Sequence, residues 1–88
     1  MNQCAALWLS HAQARLAKLL SRERTKLPRA SVNTSQGAWI AYRNAECSAE
    51  AAPYRGGSIY PLIYLTCEVY VTDARTALIQ HVLANLPH

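Results

Sequence analysis

From Asn2 to Lys26 the chain contains neither glycine nor proline, and alanine, leucine and arginine dominate it. Ala5, Leu9, Ala12, Leu16, Leu19 and Leu20 recur at helical spacing, which predicts one long amphipathic helix. Cys4, Trp8, His11 and Arg15 form the adjacent stripe, with His11 as a boundary residue. Leu27-Pro28 ends this helix and opens the next, because proline suits a first helical turn. Val32, Gln36, Trp39, Ile40, Arg43 and Cys47 then share a stripe, giving a second helix over 28–48. Gly37 inside it costs about 1 kcal/mol against alanine, which points to close approach of another helix.

A loop follows at 48–57, marked by Pro53 and the Gly56-Gly57 pair. Ser58 fits an N-cap and Pro61 the first turn after it, so a third helix is expected over 58–86. Leu62, Leu65, Val69, Thr76, Ile79, Val82 and Leu86 mark one of its faces; Ile63, Cys67, Val71, Ala74 and Leu78 mark another. A helix apolar on two faces belongs in the middle, buried between the others. The β-branched run VYVT at 69–72 is its weakest helical stretch, although the period continues beyond it. The expectation is a small all-α domain of three long helices, with residues 1–88 forming one unit.

A domain of 88 residues buries only about two-thirds of its unfolded surface, so a covalent staple would add much. Cys47 closes the second helix and Cys67 lies about two turns into the third, across one flexible loop. A disulfide between them would contribute roughly 3 kcal/mol and would point to an oxidising compartment. Cys4 is then left over, unpaired or bonded to another molecule.

The net charge is +4, and its excess lies in Arg15, Lys18, Arg22, Arg24, Lys26 and Arg29, with Glu23 among them. Such a stretch reads first as a solvated helix face, and second as a site for an anionic polymer or lipid head groups. No aromatic residues interleave the charges, which disfavours nucleic acid. The sequence shows no phosphate loop, zinc-type cysteine spacing or paired catalytic carboxylates, so neither an enzyme nor a metal or cofactor site is expected. Its apolar runs are too short to span a bilayer, and MNQCAALWLSHAQA lacks the basic start of a signal peptide.

The run QGAWIAYRNAEC at 36–47 carries a resemblance. Gln36, Trp39, Tyr42, Arg43, Glu46 and Cys47 resemble the signature of the LprI-type lysozyme-inhibitor family. Gly56-Gly57-Ser58, Cys67, Thr72 and Arg75 resemble its later elements, and Asn2 and Cys4 its N-terminal one. The resemblance implies a small, helical, exported bacterial domain, periplasmic or secreted, with paired cysteines and lysozyme as a protein partner. Family members carry an export signal and a further cysteine upstream, so Cys4 is expected to lack its usual partner in a chain starting at Met1.

The signature itself reads as architectural. Trp39 and Arg43 share a face that Cys47 extends. Trp39 is expected to fill the core, and Arg75 to pair with Glu46. Binding is expected at the loop instead, through Tyr54, Arg55 and Ser58, with Arg55 approaching the two carboxyl groups of a lysozyme cleft. Electrostatics oppose this reading, because many lysozymes are as basic as this chain. The alternative is a non-inhibitory envelope module that binds an anionic polymer through the basic helix.

Overall fold

A computed structural model describes residues 2–87. It contains α1 (Asn2–Lys26), α2 (Arg29–Ala51), a single 3-10 turn (Ala52–Tyr54) and α3 (Tyr60–Ala84), with no strand among the described residues. The three-helix, all-α expectation holds. α3 runs unbroken through Val69–Thr72, so the β-branched run does not kink it.

α3 is the middle helix, packed along both neighbours, while α1 and α2 touch little beyond their hinge. Arg15 faces Asp73, and Lys26 and Leu27 lie beside Leu83 and Ala84, so α1 runs parallel to α3. Gln36 faces Arg75 and Cys47 joins Cys67, so α2 runs antiparallel to it. The core gathers at the hinge end, where Leu16, Leu19 and Leu20 of α1 meet Val32 of α2 and Ile79 of α3. Toward its N-terminus α1 buries Ala5, Leu9 and Ala12, mostly small side chains.

Four expectations need correction. α2 continues past Ser48 to Ala51, and the 3-10 turn takes up Pro53, so the irregular segment is shorter than the 48–57 loop. Ser58 does not cap α3: Ile59 precedes the helix without a side-chain cap, and Ser58 is an exposed turn residue. Gly37 has no neighbour within 4 Å of where a Cβ would stand, because it faces solvent and not another helix. The second apolar face of α3 is not covered either. Ile63 and Val71 are half-buried, and Ala74 and Leu78 are exposed. α1 and α2 cover the two flanks of α3, and that leaves the crest between α2 and α3 open.

Candidate functional site

The disulfide end carries the loop. Cys47 is fully buried and bonded to Cys67 with their Cα atoms 5.5 Å apart, inside the usual range for such a bridge. Beyond it the backbone closes in successive short turns. The Arg55 N–H donates to the Ala52 carbonyl (3.2 Å), Gly57 to Tyr54 (3.0 Å) and Tyr60 to Gly57 (3.3 Å). Gly56 sits at φ 82°, a left-handed conformation that a side chain would strain. The result is a pinned loop displaying Tyr54 (42% exposed), Arg55 and Ser58 to solvent.

The signature residues lie along α2 beside the open crest of α3. Trp39 is half-buried at the edge of the core, and the Arg43 guanidinium lies over its ring, 5.4 Å from the centroid. Arg43 also faces Glu68 at 3.7 Å, both side chains being mostly buried, and donates to the neighbouring Asn44 Oδ1. Arg75 does not pair with Glu46 as expected: its Nε donates to Gln36 Oε1 (3.3 Å) and its Nη2 to Ser35 Oγ (3.1 Å). Tyr42 is 57% exposed, so the signature only partly lies in the core.

Two adjoining hollows open along this crest. One, of about 340 Å³, lies among Trp39, Tyr42, Ala74, Arg75 and Leu78. The other, of about 350 Å³, lies among Glu46, Glu50, Ile63, Thr66 and Cys67, and Tyr70 and Val71 belong to both. Tyr70 is 72% exposed. Glu50, Glu68, Tyr70 and Leu78 were not among the sequence candidates for binding. One signal was available: Tyr70 falls outside both apolar stripes of α3.

The basic stretch is dispersed. Arg15 pairs with Asp73 at 2.8 Å, an exposed bridge worth little, and Arg24 donates to Asn33 Oδ1 (2.9 Å). Lys18, Arg22, Lys26 and Arg29 are exposed. Glu23, read from sequence only as a counter-charge, is buried beside the hinge near Pro28, Ser31 and Ser35. Cys4 is exposed and carries a free thiol. Among the described residues no three His, Cys, Asp or Glu side chains cluster to hold a metal ion, and no helix is long and apolar enough to cross a membrane.

An uncharacterized protein of Rhizobium meliloti (strain 1021) is 32% identical to this chain over 55 residues, covering 62% of this chain and 40% of that protein. The matched chain thus spans less than half of its relative's length. No solved structure matches. The family described as Lysozyme inhibitor LprI matches residues 1–78.

Proposed function

The chain belongs to the lysozyme inhibitor LprI family, and from that we propose that it binds lysozyme and obstructs its cleft with the loop around Tyr54 and Arg55. The reading is of a binding protein acting by occupation, not of a catalyst. The observation that carries it is the pinned loop: a tyrosine and an arginine, residue types rich in interface hot spots, stand exposed on a turn fixed by the Cys47–Cys67 bridge. Holding the loop in advance lowers the ordering cost of binding. A glycosidase cleft presents two carboxyl groups, which an exposed guanidinium complements, while a tyrosine ring suits a sugar subsite. Ser58 sits beside them as a hydrogen-bonding group on the same turn.

The disulfide supports placement outside the cytoplasm, periplasmic or secreted, as does the family. An envelope module gripping an anionic polymer through Arg15 to Arg29 is the weaker reading, because the family match points to a protein partner and the basic residues are dispersed along α1 and the start of α2. The test compares wild type with Tyr54→Ala/Arg55→Ala in lysozyme inhibition and in thermal melting. The double variant should melt like wild type and bind about thirtyfold more weakly or worse, the loss of at least 2 kcal/mol typical of a hot spot. Normal melting together with normal inhibition would remove the loop from the mechanism.

A further inference from the structure

We propose that the open crest between α2 and α3 is a second contact surface, which docks a basic segment of the protein partner by seating a Lys or Arg side chain between Tyr70 and the carboxylates of Glu46 and Glu50. The proposal rests on the lysozyme-binding reading and adds where the body of the enzyme sits and what chemistry selects it.

Three observations carry it. The first is apolar exposure: Tyr42, Tyr70 and Leu78 are all more than half exposed and flank the two joined hollows. Contiguous aromatic surface of this kind marks interaction sites on small proteins. The second is unspent negative charge. Glu46 and Glu50 are one helical turn apart on α2, and neither has an ion-pair partner among the described residues. The two nearby arginines are held elsewhere, Arg43 by Glu68 and the Trp39 ring, Arg75 by Gln36 and Ser35. Carboxylates beside exposed tyrosine faces suit a cation, which gains charge-assisted hydrogen bonds and a ring contact together.

The third observation is where the charges lie. Six of the nine basic residues fall between Arg15 and Arg29, whereas Glu46, Glu50 and Glu68 are three of only five acidic ones. Arg15, the nearest of the six, pairs with Asp73, three residues from Tyr70, whereas Lys26 sits beside Ala84, about 25 Å along α3 from Cys67 at 1.5 Å per residue. Lys26 thus lies well beyond the screening length of about 8 Å at physiological salt, and the charge of the nearer Arg15 is offset by Asp73, so the basic stretch scarcely repels a partner at the crest. A net charge of +4 therefore does not oppose a basic partner docking at this end.

The experiment measures binding of a basic lysozyme to wild type, to Glu46→Gln/Glu50→Gln/Tyr70→Ala and to the loop variant, at low and physiological salt. Melting curves accompany each, and all three crest substitutions lie on residues that keep solvent contact. The crest variant should melt like wild type, bind about tenfold more weakly or worse, and show a flatter salt dependence. If wild type binds and inhibits while the crest variant binds equally well, the crest proposal falls and the loop reading stands. If wild type does not bind at all, both fall. Sedimentation of the protein alone closes the remaining route: a wild-type dimer that the crest variant abolishes would make the crest a self-interface and overturn the proposal.

Discussion

Breaking the Cys47–Cys67 bridge should remove a large share of this protein's stability. The bridge spans a sequence separation of 20 residues. The chain-entropy relation then gives about 11 cal/mol/K of lost freedom in the unfolded state, or about 3.3 kcal/mol at room temperature. The folded side has little to offset that loss. The largest fully buried side chains are Ile79, Thr72 and Cys47, and the main core sits at the far, hinge end of the bundle. A domain of this size holds roughly 4–13 kcal/mol in total, so the bridge supplies a quarter or more of it. At about 4–8 °C per kcal/mol, Cys47→Ala/Cys67→Ala should melt some 13–26 °C below wild type. Far-UV circular dichroism with and without reductant measures this directly. The fully reduced wild type should fall with the double variant. A reduced protein melting within about 3 °C of the oxidised one would mean that the bridge contributes under 1 kcal/mol, and that contacts elsewhere hold α2 on α3.

Three further substitutions test the local account. The Thr72 hydroxyl is buried without a hydrogen-bond partner among the described residues, so Thr72→Val should stabilise by about 1 kcal/mol in denaturant titration. Gly37 faces open space in mid-helix, so Gly37→Ala should also stabilise, by about 0.5–1 kcal/mol. Gly56 is left-handed, so Gly56→Ala should instead cost about 1–2 kcal/mol and loosen the loop, read as weaker lysozyme binding than wild type.

Much of the fold was legible because its main signals are local. The period through Ala5, Leu9, Ala12 and Leu16 gave α1 almost to the residue, and all four are buried. The placement of two cysteines across one turn region gave the bridge. Periodicity says that a face is apolar but not what lies over it, and so the crest of α3 was expected to be buried when it is open. Gly37 misled for a related reason: an unfavourable residue in a helix has no tertiary cause here. The expected Glu46–Arg75 pairing is ruled out by the register of the bridge. Once Cys47 joins Cys67, Glu46 stands at the level of the bridge, while Arg75 lies eight residues, about 12 Å, further along α3. Register places Arg75 opposite Gln36 and Ser35, and Glu46 is thereby left without an ion-pair partner among the described residues.

The candidate site divides in the same way. Tyr54 and Arg55 are candidates from loop chemistry, and both are exposed at the turn. The crest was not, because it is assembled from Tyr42, Glu46 and Glu50 on one helix and Tyr70 and Leu78 on another. Only the antiparallel register brings those two sets together.

Lysis of bacterial cell walls by lysozyme, followed by turbidity over a range of concentrations of the oxidised wild-type protein, shows whether this chain inhibits the enzyme. An inhibitor should slow lysis saturably with half-effect near or below about 1 µM, corresponding to roughly 8 kcal/mol of binding. Lysis proceeding at its full rate with the folded, oxidised protein in large excess would contradict the inhibitor reading.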